Sequence, residues 1–199
     1  TIENLCSALT AGAKVGYGCT IYPPFLRVNA FSGDRILLGF EYPTRLYTQK
    51  FRVRNDEYDD DDEADEYIEE EVTAMLPNAL TCIAFDKTPS GLKCSTFYQY
   101  ALKGTLVSLD TELYVWPGSN VYQGGNCCMG DVHIPIIESI EKTGGLPGLF
   151  YNGVNNNDLD SGRFTEFNDE NGHRVRHAYE LYSYLERNKK PFPNDILIK

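Results

Sequence analysis

Asn120-Val121-Tyr122-Gln123-Gly124-Gly125-Asn126-Cys127-Cys128-Met129-Gly130 places a thiol eight residues after an asparagine, across a glycine pair. A thiolate is the best nucleophile a side chain offers near neutral pH, and a carboxamide N–H can stabilise the oxyanion formed when a carbonyl is attacked. These residue types at this spacing point to acyl transfer through a thioester. Taken alone, a cysteine in a strand-turn segment is more often a small buried hydrophobe, and Asn120 has a second reading as a turn-stabilising residue.

Other side chains compete for a chemical role. His133, five residues beyond Cys128, suggests a cysteine hydrolase in which imidazole takes the thiol proton. In a strand, that odd step turns His133 to the opposite face, so a solvated or core-edge histidine is the better reading. Asp110 is either an acid near the thiol or an Asx turn before Thr111. Cys127 reads as a packed thiol, because a disulfide between neighbours is strained. Cys127, Cys128 and His133 cannot close a zinc site without Cys82 or Cys94. Asn156, Asp158 and Asp160 are spaced like the opening of a calcium loop, but Gly162 comes one place late and Phe167 stands where a closing acid is needed. No phosphate-binding glycine pattern occurs and no cofactor is expected, so any adenylation must come from another protein.

The elements that must hold the motif read as a sheet followed by helices. Residues 25–28 and 36–40 form a hairpin around Ser32-Gly33-Asp34, and 45–53 alternate as a further strand. Residues 80–85 and 95–102 give two more strands, and an antiparallel meander results. Pro117 and Gly118 then carry the chain into an irregular loop at the motif. Pro135 opens a helix running to Lys142 and closed by Gly144-Gly145, residues 147–151 form a turn, and 152–170 read as polar loop. Residues 173–188 form the last helix, with Val175, Ala178, Tyr182 and Leu185 on one face. Residues 2–11 read as a short helix or irregular arm. Tyrosines Tyr179, Tyr182 and Tyr184 on the last helix either fill the core or contact a protein partner.

Composition bounds the function. The chain has 199 residues, long enough for one domain with its own core. Its net charge of −11 is local: twelve acidic residues and no Lys or Arg lie within 55–71, leaving 17 acidic against 18 basic residues elsewhere, a net +1. Such a run repels itself and buries little, so 55–71 is expected to be a mobile acidic insertion, with docking to a basic partner as its functional reading. Nucleic acid is disfavoured as a partner, since its phosphates would be repelled rather than neutralised by that charge. No apolar stretch has the length of a membrane span, so no membrane partner is expected. Six cysteines without a Cys-x-x-Cys pair, and no leader-like segment before them, suit the reducing cytoplasm.

From Asp110 the chain reads Asp110-Thr111-Glu112-Leu113-Tyr114-Val115-Trp116-Pro117-Gly118-Ser119-Asn120-Val121-Tyr122, then the glycines, Cys128-Met129-Gly130 and Pro135. Residues 95–150 resemble the prokaryotic family D of ubiquitin-conjugating folds, also called PRTRC system protein B. That family carries Asp-Thr-Pro-Leu-Tyr, a Pro, Asn-Val-Tyr or Asn-Val-Phe, a Gly and Cys-Leu-Gly. Eukaryotic ubiquitin-conjugating enzymes carry His-Pro-Asn-Ile and Cys-Leu-Asp with the same step from Asn to Cys, a register that selects Cys128 over Cys127. Gly118-Ser119 replace the His-Pro, Met129-Gly130 replace Leu-Asp, Glu112 stands where the family often has Pro, and Cys127 is an added thiol.

The resemblance implies an α+β ubiquitin-conjugating-like fold, an antiparallel β-meander backed by helices, with the acidic loop as an insertion. It implies a bacterial transferase that accepts a ubiquitin-like protein on Cys128 from an activating, adenylating enzyme and passes it to an amine on a protein target. Asn120 is then the oxyanion donor. The alternative is a catalytically inactive binding module or adaptor of the same fold.

Overall fold

The computed structural model describes residues 1, 2, 4, 23–54, 67–156, 159 and 162–199. The chain runs through β1 (Leu26–Ser32), β2 (Arg35–Tyr42), β3 (Arg45–Arg54), β4 (Tyr67–Leu76), β5 (Asn78–Thr88), β6 (Gly91–Leu102) and β7 (Tyr114–Val115). A 3-10 segment (Ile140–Gly145), α1 (Pro147–Tyr151), β8 (Val154–Asn155), β9 (Phe167–Asn168), β10 (Arg174–Val175), α2 (Ala178–Arg187) and a second 3-10 segment (Asn194–Ile196) follow. Apart from residues 2 and 4, the opening arm expected over 2–11 lies outside the described residues.

The main sheet has the order β1-β2-β5-β6-β7, antiparallel throughout. Gly33 supplies the left-handed φ of 57° that the tight β1–β2 turn requires. Along β5, Leu80, Cys82 and Ala84 face one apolar cluster while Ala79, Ile83 and Phe85 face the other. The period-two alternation thus buries this strand on both sides. The larger cluster contains α1, α2 and the residues around Trp116, so the helices and the segment entering the thiol motif share one core.

The expected meander is interrupted, since β2 pairs with β5 rather than β3. The chain leaves the sheet at Pro43, which has no N–H to donate, and returns at Asn78. The Asn78 carboxamide oxygen accepts both the N–H and the hydroxyl of Thr44, tying the exit to the return. Between them β3 and β4 form a long antiparallel ladder, and β8 joins β3 in parallel.

Over 67–71 this hairpin corrects the expectation of a mobile acidic loop, which spanned 55–71. Residues 55–66 lie outside the described residues, but 67–71 are strand. Glu71 and Glu69 lie opposite Lys50 and Arg52, with ion-pair distances of 3.8 and 4.0 Å. Opposite charges directly across a ladder offset the self-repulsion that the local composition suggested. α2 covers the outer edge of β4: Glu186 accepts the N–H of Thr73 at 2.8 Å, and the Tyr179 hydroxyl donates to Glu70.

Two helix expectations also change. Residues 173–176 are not helical, because Arg174 and Val175 pair with β9 across a turn in which the Asp169 carboxylate accepts the N–H groups of Asn171 and His173. The helix starts after His177, where Glu180 accepts the N–H groups of Arg176 and His177. After Pro135 the chain stays irregular as far as Ser139, because Ile137 exchanges two backbone hydrogen bonds with Leu92, of 2.7 and 2.9 Å, and of the expected helix only the 3-10 segment ending at Gly145 forms. Gly91 allows that approach, since a Cβ there would sit 2.5 Å from the Ile137 carbonyl oxygen. Residues 147–151, expected as a turn, form the short helix α1 with Pro at its start. Among the described residues, no helix is long and apolar enough to cross a membrane.

Candidate active site

The outer edge of β6 holds the thiol motif in place. Tyr100 and Ala101 pair with β7, while further along the strand Gln99 N–H donates to Gly125 and Cys127 N–H donates to Phe97, at 2.8 and 2.9 Å. Residues 116–124 arch away from the sheet between these two attachments. The arch is anchored by Trp116, which is buried and makes edge contacts with Phe150 and Tyr151 of α1. Gly118 packs on that indole: a Cβ at this position would come within 2.5 Å of Trp116 Nε1. A glycine in place of the eukaryotic histidine thus has a local packing reason.

Residues 120–128 form an irregular hairpin. Tyr122 N–H donates to Asn126 and Cys128 N–H donates to Asn120, both at 2.7 Å, and the two bonds bracket the Val121–Cys127 bridge. This is the non-hydrogen-bonded pair of an antiparallel ladder, in which side chains approach most closely. The tip turns where Gly125 N–H donates to Tyr122 O at 2.8 Å. Gly125, at φ 89°, lies against the Tyr100 ring, and the Tyr100 hydroxyl donates to Gly124 O at 2.9 Å. The eight-residue step from Asn120 to Cys128 is therefore the span of one hairpin, and it sets the two residues across from each other.

Alternation decides which thiol is presented. Val121 and Cys127 point to the core side, where Val121 is 1% exposed and burial pushes the Cys127 thiol well above its ordinary range. Cys128 points the other way and is exposed. Asn120, expected as the oxyanion donor, sits at the same end of the hairpin in the left-handed region, with φ 60°, which asparagine tolerates better than most residues. Its amide nitrogen donates to the Val154 carbonyl at 2.8 Å, leaving a second N–H on that nitrogen. Val154 belongs to β8, which Asn155 fastens to the Lys50 carbonyl of β3. The acidic hairpin is thus mechanically joined to the thiol loop.

A cleft of about 240 Å³ opens beside Cys128, lined by Asn120, Met129, Val132, Leu149 and Val154. A second cleft of about 650 Å³ lies across the hairpin, walled by Tyr122, Gly124, Tyr114, Arg163 and Lys199. His133 is exposed in an irregular stretch rather than a strand, so the alternation argument does not apply to it. Asp110 occupies an exposed loop in which Thr111 Oγ1 accepts the N–H groups of Val107 and Ser108. The calcium-loop reading falls on Asn156, Asp158 and Asp160, of which the latter two lie outside the described residues.

Sequence reasoning missed Tyr122. It is exposed, and the neighbouring Cys128 holds its phenol above the ordinary value. The signal was the hairpin register: with 121 opposite 127, residue 122 becomes the diagonal neighbour of 128 on the exposed face, within reach of an aromatic side chain.

Compared with known proteins, residues 88–199 match the family described as Prokaryotic E2 family D. The match covers β6, the thiol hairpin and every later element, and the α+β layout of antiparallel sheets with helices agrees with it. No curated protein and no solved structure matches the chain.

Proposed function

This chain belongs to prokaryotic E2 family D, and on that premise we propose that it is a ubiquitin-conjugating-like enzyme carrying a ubiquitin-like protein as a thioester on Cys128. The observation that carries the reading is an exposed thiol at the end of a sheet-anchored hairpin, directly opposite Asn120 and at the mouth of a cleft. An activating enzyme, working in the cytoplasm, supplies the ubiquitin-like protein as a thioester. Cys128 sulfur attacks its carbonyl carbon, a new C–S bond forms, and the donor's cysteine leaves with the electron pair of the broken bond. An amine of the target protein then attacks the same carbon. Cys128 leaves as thiolate, and the amine proton passes to solvent. Exchange between thioesters is close to isoenergetic, so placement of the two partners does most of the work.

Asn120 supplies the oxyanion donor through the amide hydrogen not committed to Val154. The cleft beside Cys128, with apolar walls at Met129, Val132 and Leu149, takes the extended tail of the ubiquitin-like protein. The whole chain acts as one ubiquitin-conjugating-like domain, and its acidic run over 55–71 offers a docking element for a basic partner surface. The test is incubation with an activating enzyme, ATP and a ubiquitin-like protein encoded nearby, read by intact mass. An adduct removed by reducing agent and missing in Cys128→Ala supports the carrier. Lack of any such adduct, with the partner shown to be charged, favours the binding-module alternative.

A further inference from the structure

Asn155 is a buried polar residue, 6% exposed, on the short strand β8. Its carboxamide nitrogen donates to the Lys50 carbonyl of β3 at 3.1 Å, and its backbone pairs in parallel with Phe51 while Val154 pairs with Lys50. At the start of the same stretch the Tyr47 hydroxyl donates to the Asn152 carboxamide oxygen. Residues 152–155 are therefore fastened to β3 at both ends by asparagine side chains. So short a parallel strand has few ladder bonds of its own, and these fastenings decide where Val154 stands.

The position of Val154 bears directly on the thiol site. Its carbonyl accepts the Asn120 amide N–H at 2.8 Å, and Val154, Asn120 and Cys128 line one cleft. A carboxamide is planar and its nitrogen carries two N–H groups, so a bond that fixes one also fixes the direction of the other. An oxyanion is better stabilised by a donor already held in place than by one that must reorient during the reaction.

We propose that Asn155 is a positioning residue for acyl transfer: by fastening Val154 to β3 it holds the Asn120 amide in the orientation that an oxyanion on the Cys128-bound acyl group requires. The inference rests on the reading of Cys128 as thioester carrier and Asn120 as oxyanion donor. Asn155 touches no reacting atom and moves no proton. Its acceptor residue, Lys50, pairs with Glu71 of β4, so the support comes from the β3–β4 ladder and not from the thiol loop itself.

The test uses the full chain and a small acyl probe. S-phenyl thioacetate loads an acetyl group: the Cys128 thiolate attacks the carbonyl carbon, a new C–S bond forms, and thiophenolate leaves. Hydroxylamine then attacks the same carbon, a C–N bond forms, Cys128 leaves as thiolate, and the amine proton passes to solvent. Peptide mass follows the discharge for wild type, Asn120→Ala, Asn155→Ala, Asn155→Asp and the double variant Asn120→Ala/Asn155→Ala. Aspartate keeps the size of Asn155 and lacks the N–H donor. Both Asn155 variants should slow discharge about 10-fold, within the cost of a small misplacement of a reacting group. The double variant should be no slower than Asn120→Ala, because Asn155 acts only through Asn120. Alkylation of Cys128 by iodoacetamide forms no oxyanion and should keep its wild-type rate in the Asn155 variants.

Wild-type discharge in Asn155→Ala, additive slowing in the double variant, or equal losses of alkylation and discharge overturn the proposal. So do a wild-type Cys128 that takes no acetyl group, and labelling of buried Cys82 in both Asn155 variants, which would make Asn155 a residue that merely holds the fold. If discharge slows as expected but no ubiquitin-like protein is carried on Cys128, the positioning role stands and the carrier function fails. If that carrier forms while the Asn155 variants discharge acetyl at the wild-type rate, only the role of Asn155 is lost.

Discussion

The backbone N–H of Cys128 donates to the carbonyl of Asn120 at 2.7 Å, closing a hairpin whose other end is the Gly124-Gly125 tip. The spacing between amide and thiol is therefore a property of hairpin length. A residue inserted or removed between them would turn every later side chain to the other face.

Alternation in that hairpin predicts an order of thiol reactivity. In the folded protein Cys128 should be alkylated before Cys82, Cys94 and Cys127. Cys82 is buried, burial pushes the Cys94 thiol to about 11, and it pushes Cys127 higher still. A raised value leaves less thiolate at neutral pH, so Cys94 and Cys127 should react appreciably only in strong alkali or after unfolding, and buried Cys82 only when the fold opens. Time-resolved labelling with peptide mapping reads the order directly.

Asn120 combines a left-handed backbone with an amide bond to Val154, and these contributions separate by substitution. Asn120→Gly keeps the backbone preference and loses the amide, whereas Asn120→Ala loses both. The alanine variant should be less stable than the glycine variant by about 1 kcal/mol, as a non-glycine residue pays for the left-handed region. Urea denaturation measures the difference. Equal stabilities would mean that the left-handed conformation is not maintained in solution.

Gly125 has no room for a side chain, because a Cβ would lie 2.4 Å from the Tyr100 ring in a backbone that already has φ 89°. Gly125→Ala should cost about 2 kcal/mol. It should also alter the labelling rate at Cys128, since the hairpin must shift on β6. Denaturation and labelling of the same variant check both halves of this expectation.

Glu112 links the segment before the motif to Lys199. Hydrogen bonds from Lys199 and then Tyr114 hold its carboxyl below the ordinary carboxylate range. A depressed folded-state value gives stability that is present above the unfolded carboxylate value and is lost as pH falls through the folded one. Glu112→Gln should therefore be less stable than wild type at neutral pH and converge with it in strong acid, once pH has fallen through the depressed folded-state value and both states are protonated. Thermal unfolding at the two pH values tests the sign.

Much of the sheet was legible in the sequence. The β1–β2 turn announced itself through Ser32-Gly33-Asp34, and β5 and β6 through runs rich in β-branched, apolar and aromatic residues. What stayed hidden depended on partners distant in the chain. The last acidic residues of the 55–71 run look disordered until Lys50 and Arg52 are placed opposite them. Residues 173–176 have helical spacing, yet Asp169 turns them back onto β9. The stretch just after Pro135 is taken by Leu92, which leaves only the 3-10 segment from Ile140 of the expected helix. The choice of Cys128 rested on register with a related family, and the hairpin supplies a physical reason for its exposure. Tyr122 could not be singled out without knowing that 121 pairs with 127.

The most direct measurement is the mass of the full chain after incubation with an activating enzyme, ATP and a ubiquitin-like protein, before and after reducing agent. The account predicts one added ubiquitin-like protein, attached through Cys128, released by reductant and absent in Cys128→Ala. An adduct that forms equally well on Cys128→Ala, or a wild-type chain that stays unmodified beside a fully charged activating enzyme, would contradict it.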